Sequence, residues 1–306
     1  MRNTFSNILV KKARIENKLL LLTGDHGYAL FDSFKENFPD KFINAGVAEQ
    51  NMIGVASGLA RGGFKPIIYG LSSFVPVRVL EQIKIDLAHD DIPSLLIGDG
   101  AGLVYSYLGT SHQSTEDIAL TRSIPNLKVF SPADRFELEL CMNEAFKFNS
   151  SVYLRFGKSD RGDIHTDKIN CTLGDPINIY NGSSHITFVS TGSMTKTAVE
   201  LRNIYYKDVS VYSIPFIKPI NINKVVEIAK KSNLIITFEE HSVFGGLGSV
   251  ISEILSENFP TKILKIGIND KFSKKCGSYE YLIKEHGLDI ESLKIKIDEY
   301  INLNNV

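Results

Sequence analysis

The chain has 306 residues, of which 43% are hydrophobic and 23% are charged, and its formal net charge at pH 7 is −1. This length suits two domains of ordinary size, and the balanced charge gives no indication of a nucleic-acid partner or an anionic membrane surface. The N-terminus does not resemble a signal peptide and no apolar run approaches the roughly 20 residues of a membrane span, so we expect a cytoplasmic protein.

Hydrophobic patterning predicts alternating strands and helices along the first half of the chain. The predicted strands are 18–22, 42–45, 66–70, 93–97, 127–130 and 152–155. The predicted helices are 3–16, 31–38, 48–61, 72–89, 116–122 and 135–148. Six strands that alternate with helices favour a parallel, doubly wound α/β sheet.

The second half repeats this alternation after an irregular segment at 161–184, which contains the short strand candidate LGDPINIY. Strands are predicted at 186–190, 209–213, 234–238 and 262–266, helices at 194–205, 223–231 and 248–255, and a mostly helical end at 278–301. We therefore predict a first domain at 1–160, a linker at 161–184 and a second α/β domain at 185–306.

Cysteine spacing indicates neither a disulfide framework nor a metal site. Cys141, Cys171 and Cys276 are far apart in the sequence and match no ligand spacing. We expect three unpaired thiols in a reducing compartment and no metal bound by this chain.

Three acidic or basic positions are candidates for chemistry from their location alone. Glu49 lies in the first turn of a helix rich in Ala, Gly and Ser, where the helix dipole favours a carboxylate, as it does for many carboxylates without a function. Asp25 and His26 follow a buried strand in the turn TGDHG, which suits either a ligand site at the carboxyl edge of a sheet or an ordinary turn.

The stretch GVAEQNMIGVASGLARGGFKPIIY resembles the pyrimidine-binding domain of the transketolase family of thiamine diphosphate enzymes. Deoxyxylulose-5-phosphate synthases and the β chains of 2-oxo-acid dehydrogenases share this pattern. The similarity extends over nearly the whole chain, and the second half resembles the family's C-terminal domain. The resemblance implies two doubly wound α/β domains, a thiamine-diphosphate-binding pyrimidine domain and a transketolase C-terminal-like domain.

The resemblance implies a cofactor role for three residues. Glu49 would contact the aminopyrimidine ring of thiamine diphosphate and stabilise its imino tautomer, and Phe74 would stack on that ring. Asp25 would belong to the same cofactor site. From the residues alone, Phe74 is more readily interpreted as a core side chain.

The resemblance also implies a substrate site. His112, in GTSHQSTED, would lie beside the reactive carbon of the cofactor and donate a proton to a substrate oxygen, while His26 would contact the substrate. Arg2 and Arg155 match positions that bind a substrate phosphate in the family, and guanidinium groups suit phosphate. The alternative for both arginines is a surface position without a function.

Two further motifs match known patterns only in their letters. Gly98-Asp99-Gly100 followed by Asn126 resembles the magnesium-diphosphate motif of thiamine enzymes, but Asn126 precedes a predicted strand where the family's Asn follows one. The turn Gly245-Gly246-Leu247-Gly248 lacks the G-x-G-x-x-G spacing of a dinucleotide site. We expect the first motif to bind no metal and the second to serve helix packing.

Three positions depart from the family pattern. Gly100 stands where transketolases have His and deoxyxylulose-phosphate synthases have Arg, Leu108 stands where both have Asp, and Ala29 stands where transketolases have a phosphate-binding Ser. The resemblance therefore implies intact cofactor chemistry with an altered substrate site.

The family's diphosphate-binding domain, which holds magnesium, has no counterpart in this sequence. We therefore expect a separate N-terminal chain to carry the Mg²⁺ ligands and to form an α2β2 heterotetramer in which this chain also contacts its own copy. No nucleic-acid or membrane partner is expected.

The resulting hypothesis is the C-terminal subunit of a split, thiamine-diphosphate-dependent transketolase. Such an enzyme moves a two-carbon ketol unit from a ketose, phosphorylated or otherwise modified, to an aldehyde acceptor. The alternatives are a 2-oxo-acid dehydrogenase β chain and a non-catalytic regulatory homologue. The run GTSHQSTED, where those β chains have H-S-Q, favours the transketolase, and the presence of Glu49, Phe74 and His112 argues against the regulatory homologue.

Overall fold

The computed structural model describes residues 1–157 and 161–304, and their strands form two sheets. The strands are β1 (Leu19–Thr23), β2 (Phe42–Asn44), β3 (Lys65–Leu71), β4 (Ser94–Asp99), β5 (Lys128–Phe130), β6 (Ser151–Phe156), β7 (Ile177–Tyr180), β8 (Ile186–Ser190), β9 (Ser210–Ser213), β10 (Phe216–Lys218), β11 (Leu234–Ser242) and β12 (Lys262–Ile268).

The helices lie between these strands and beyond the last one. They are α1 (Arg2–Ile15), α2 (Asp32–Asn37), α3 (Glu49–Arg61), α4 (Leu80–Gln82), α5 (Asp117–Arg122), α6 (Arg135–Ala145), α7 (Met194–Ile204), α8 (Ile222–Ala229), α9 (Leu247–Asn258), α10 (Tyr279–Glu285) and α11 (Ile290–Asn304). Among the residues described, no helix has the length and apolarity that crossing a membrane would require.

The first sheet has the strand order β10-β5-β6-β4-β3-β1-β2. Strands β1 to β6 run parallel, which confirms the predicted doubly wound sheet and its six strands. The seventh strand, β10, was not predicted. It pairs antiparallel with β5 although it lies in the second half of the chain, and its three residues are too few to show a periodic pattern.

The second sheet has the order β12-β11-β8-β9-β7, with β7 antiparallel to β9 and the other pairs parallel. The four strands predicted after residue 185 are all present, and they confirm a second α/β domain. Strand β7 comes from the segment assigned to the linker. The predicted boundary at residue 160 and the chain end at 306 lie outside the described residues, and the domain limits stay predictions.

The long helix predicted over 72–89 is wrong. Residues Val77–Val79 form a 3-10 turn, α4 has three residues, and Ile83–Ala88 is π-helical. Pro76 explains the break, because proline has no backbone N–H to donate and it excludes the preceding residue from the helical region. The segment after β3 therefore begins as an irregular loop and not as a continuous helix.

One hydrophobic cluster joins the two sheets. It combines strand residues of the first sheet such as Leu22 and Leu96 with Met52 of α3, and it continues into Val225 of α8 and Ile251 of α9. A second cluster lies under α1 and α6 on the other face of the first sheet. The two domains thus share a core, and α9 covers the first domain as well as its own sheet.

Candidate active site

Four predicted site residues converge where parallel strands of the first sheet end. His26 follows β1, Glu49 begins α3 after β2, Phe74 follows β3, and His112 lies in the loop after β4. The carboxyl ends of parallel strands meet at one edge of a sheet, which is where α/β proteins bind ligands. The topology therefore gathers residues that are up to 86 positions apart in the sequence, from His26 to His112.

Glu49 is a buried carboxylate with one compensating cation. Its side chain is 3% exposed, and Oε2 accepts a hydrogen bond from Nη1 of Arg78 at 2.9 Å. The guanidinium carbon of the same arginine lies 4.0 Å from the centroid of the Phe74 ring. Glu49 and Phe74 are thus neighbours, connected through Arg78, which the sequence interpretation had not singled out.

Two imidazoles lie near the Phe74 ring. The ring centroid of Phe74 lies 5.8 Å from that of His26 and 5.2 Å from that of His112. Ser111 Oγ and Nδ1 of His112 are 3.0 Å apart, so one ring nitrogen of His112 has a local partner. The structure therefore brings together His26, Glu49, Phe74 and His112, and their roles stay predictions.

The turn after β1 is fixed by a contact with the end of β2. Asp25 has a φ of 60°, its backbone N–H donates to Oδ1 of Asn44 at 3.0 Å, and its Oδ1 accepts from Nδ2 of Asn44 at 3.2 Å. A Cβ at Gly24 would lie 3.2 Å from the carbonyl oxygen of Gly46 and 3.6 Å from Cγ of Glu49, so glycine permits this close approach. Asp25 itself is exposed and shapes the turn beside Glu49.

Arg2 lies at the same edge but against a carboxylate. Its Nε is 3.5 Å from Oδ2 of Asp99, the last residue of β4. The same Asp99 oxygen accepts a hydrogen bond from the Tyr69 hydroxyl at 2.6 Å. Burial raises the pKa of Asp99, while the hydrogen bond from Tyr69 and the charge of Arg2 act in the opposite direction. Arg2 is thus close to the site, with part of its charge balanced by Asp99.

The departures from the family pattern have a structural counterpart at Gly100. This residue has a φ of +76°, and a Cβ added to it would overlap Cε2 of Tyr105. The Tyr105 ring therefore fills the space next to Gly100, and its centroid is 6.5 Å from that of His112. Leu108 is exposed in the same loop, and Ala29 is exposed in the loop after β1.

Arg155 does not join this group. Its guanidinium is 4% exposed, and Nε donates to Oδ2 of Asp117 at 2.7 Å, the oxygen that also accepts from the Tyr153 hydroxyl at 2.6 Å. A further N–H points to the carbonyl oxygen of Glu240 in the second domain at 3.4 Å. Because this buried ion pair already occupies Nε, we assign Arg155 to the contact between the domains.

Both letter motifs have other partners. The amide of Asn126 donates to the carbonyl oxygen of Ala88 ahead of β5, at the opposite edge of the sheet from Asp99. In the glycine turn, the backbone N–H groups of Leu247 and Gly248 donate to the buried carboxylate of Glu239 at 2.7 and 2.9 Å. Glu239 therefore takes the donors that would otherwise face a phosphate at this helix start.

Several buried polar atoms at the site edge have no hydrogen-bond partner among the described residues. They are His26 Nδ1, Glu49 Oε1, Ser72 Oγ, Ser73 Oγ and Asp99 Oδ1. An unpaired polar atom costs about 1–3 kcal/mol when buried, so these five atoms are available to water or to a bound molecule. No group of three or more potential metal-ligating side chains occurs within residues 1–157 and 161–304.

Comparison with known proteins gives two family models. Residues 1–162 match the model described as transketolase, pyrimidine binding domain, and residues 176–293 match transketolase, C-terminal domain. The chain is 33% identical over 307 residues to a putative transketolase C-terminal section of Methanocaldococcus jannaschii, covering 98% of this chain and 95% of the relative.

Two further likenesses cover nearly the full chain. One is to a subunit of the apulose-4-phosphate transketolase of Phocaeicola vulgatus, at 30% identity over 297 residues, covering 95% of this chain and 94% of the relative. The other is to a solved structure described as split gene transketolase, inactive beta4 tetramer, with a TM-score of 0.88, 30% identity and coverage of 99% and 98% of the two chains.

Proposed function

The chain belongs to the transketolase family, and from this we propose that it is the C-terminal subunit of a split transketolase that works with thiamine diphosphate. The observation that carries the proposal is the joining of Glu49, Phe74 and His112 at one sheet edge. The reaction would transfer a two-carbon ketol unit from a ketose to an aldehyde.

The residues at the site fit the aminopyrimidine half of this cofactor. Glu49 has one buried carboxylate oxygen without a partner among the described residues, and Phe74 presents an aromatic ring beside it. A carboxylate and an aromatic face are the groups that a flat, nitrogen-containing ring needs for a hydrogen bond and stacking. Asp25 would act by holding the turn next to Glu49, through its bonds with Asn44.

Each side chain then has a defined task. Glu49 would hold a proton at the ring nitrogen, and its low exposure excludes water from that contact. His112, whose ring centroid lies 5.2 Å from that of Phe74, would donate a hydrogen bond to the substrate oxygen where negative charge develops. The cofactor, when bound, supplies the carbon nucleophile that cleaves and re-forms the carbon–carbon bond beside the ketose carbonyl.

The substrate is proposed to be a sugar, with His26 and Arg2 as contacts. His26 lies against Phe74, and Arg2 is partly exposed near Asp99. One relative is named for a phosphorylated sugar, apulose 4-phosphate. Since the Arg2 charge is shared with Asp99, a phosphate would bind more weakly here than at an unpaired arginine. Arg155 is not included, because its guanidinium is already held by Asp117.

The partner is proposed to be a separate diphosphate-binding chain that carries the Mg²⁺ ligands, in an α2β2 assembly. The site edge is bordered by exposed apolar side chains after three different strands: Tyr28, Val47, Tyr107 and Leu108. Exposed apolar residues grouped around a polar site indicate a surface that another chain covers. The free thiols of Cys141, Cys171 and Cys276 support a reducing, cytoplasmic setting.

The test is to co-express the chain with a candidate diphosphate-domain chain and to titrate thiamine diphosphate and Mg²⁺ into the complex by calorimetry, with a coupled assay of two-carbon transfer. Wild-type complex should bind and turn over. Glu49→Gln, which keeps the side-chain volume, should lower turnover at least about 100-fold, in line with the loss of an acid–base group.

Glu81→Gln, an exposed carboxylate in α4, serves as the matched control and should retain full activity. Turnover of Glu49→Gln above about a tenth of the wild-type rate would refute the assigned role. Lipoamide-dependent acyl transfer in place of ketol transfer would instead identify a dehydrogenase β chain, and the absence of cofactor binding by the complex would support a regulatory homologue.

A further inference from the structure

Arg78 makes two contacts that no sequence motif indicates. Its Nη1 donates to Glu49 at 2.9 Å, and its guanidinium carbon lies 4.0 Å from the centroid of Phe74. Because one planar group reaches both residues, the guanidinium lies between the carboxylate and the aromatic ring. It thereby engages both side chains that the proposed function gives to the aminopyrimidine.

A guanidinium group resembles the aminopyrimidine in the properties that matter here. It is flat, it carries N–H donors in a fixed plane, and it stacks on aromatic faces. The positive charge also matches a ring nitrogen that shares a proton with a carboxylate. The two groups therefore compete for the Phe74 face that Arg78 covers and for the Glu49 carboxylate, of which Arg78 occupies Oε2 while Oε1 has no partner among the described residues.

We propose that Arg78 is a positioning residue. Before the cofactor binds, its guanidinium occupies the position of the aminopyrimidine ring between Glu49 and Phe74, and the ring enters by displacing it. The inference rests on the proposed cofactor role of those two residues. Before displacement, the positive charge of Arg78 compensates the buried Glu49 carboxylate. A buried carboxylate without a positive partner would be costly.

The position of Arg78 allows this exchange. Its side chain is 45% exposed, whereas that of Glu49 is 3% exposed, so the arginine can turn into solvent while the carboxylate stays. Arg78 belongs to the short 3-10 turn Val77–Val79, and a rotamer change of a long side chain needs no movement of the sheet.

The experiment compares Arg78→Ala, Arg78→Lys and the control Arg61→Ala in the complex with the diphosphate-domain chain. Arg61 also forms an ion pair, with Asp90, but both side chains are about half exposed and lie away from the site. Calorimetry measures the affinity for thiamine diphosphate, and urea unfolding of the chain by itself measures stability.

Arg78→Ala should bind thiamine diphosphate about 5–10-fold more tightly than wild type, because the competitor is gone, while its urea midpoint falls, because Glu49 loses its cation. Arg78→Lys should restore stability and bring the affinity back toward wild type. Arg61→Ala should change neither quantity. If Arg78 had only a structural role, its removal would lower the urea midpoint without raising the affinity for thiamine diphosphate.

Equal or weaker binding by Arg78→Ala, with wild type binding normally, would overturn the inference and leave the proposed function intact. Failure of wild type and every variant to bind thiamine diphosphate would overturn the proposed function, and the inference with it.

Discussion

Removing the charge of Asp117 should be one of the most damaging single changes outside the candidate site. Arg155 and Asp117 are 4% and 0% exposed, and the carboxylate oxygen that accepts from Arg155 at 2.7 Å also accepts from Tyr153 at 2.6 Å. Asp117→Asn keeps the shape and one acceptor, but it removes the charge that contacts the buried guanidinium directly and leaves it only the charges of Glu239 and Glu240 nearby.

The expected loss is about 3–5 kcal/mol in the free energy of unfolding, the cost of breaking a buried ion pair from one side. The exposed pair Lys224–Glu227 supplies the comparison, since its side chains are 48% and 57% exposed. Lys224→Ala should leave the free energy of unfolding nearly unchanged, because water screens this pair. The contrast between these variants isolates the contribution of burial.

Urea unfolding followed by far-UV circular dichroism at pH 7 measures both variants. The double variant Asp117→Leu with Arg155→Met removes both charges and should recover most of the lost stability. A loss below about 1 kcal/mol for Asp117→Asn, or a double variant no more stable than the single one, would refute the reasoning. In the active complex, the double variant should keep the wild-type KM for a phosphorylated ketose, whereas a phosphate-binding Arg155 would make that KM rise.

Two further predictions concern pH and backbone strain. Burial lowers the pKa of His241 to about 4, so the folded chain keeps this imidazole neutral while the unfolded chain takes up a proton near pH 6.5. This group should therefore lower the free energy of unfolding by about 3 kcal/mol between pH 6.5 and 4. Over that range, the urea midpoint of His241→Gln should vary less than the midpoints of wild type and of the exposed control His89→Gln. Parallel curves for His241→Gln and wild type would contradict this prediction. Gly100→Ala should cost more than Gly46→Ala in urea unfolding. Both positions have positive φ, worth about 1–2 kcal/mol for a non-glycine residue, but the added methyl group meets the Tyr105 ring only at residue 100, and at residue 46 no described atom lies within 4 Å of it. Equal losses would show that the ring yields without cost.

The regular part of the fold was predictable because its signals are local. The run LLLL of β1 is apolar enough to indicate a strand buried on both faces, and α3 shows helical spacing over 13 residues. Strand β10 gave no such signal, since three residues cannot display a period. The loop after β3 was misassigned because its apolar spacing outweighed the effect of Pro76.

The residues of the candidate site could be selected from sequence motifs, but most of their contacts could not be predicted. Glu49, Phe74 and His112 were found by resemblance, and the parallel sheet gathered them. Arg78 was missed because its partner Glu49 is 29 residues earlier in the chain, although an arginine four positions after a candidate stacking aromatic was an available signal. The resemblance implied that Arg155 binds a substrate phosphate. The sequence does not show that Asp117, 38 residues away, accepts a hydrogen bond from the buried Arg155 guanidinium.

Strand β10 also bears on how the protein is made. The first sheet gains its last strand from residues 216–218, so the ribosome must synthesise more than two thirds of the chain before that sheet can be finished. Until then, β5 presents an unpaired edge that can join strands of other chains. A gene fragment that stops at the end of the first domain would carry this edge permanently, and we expect its product to aggregate during expression where the full-length chain does not.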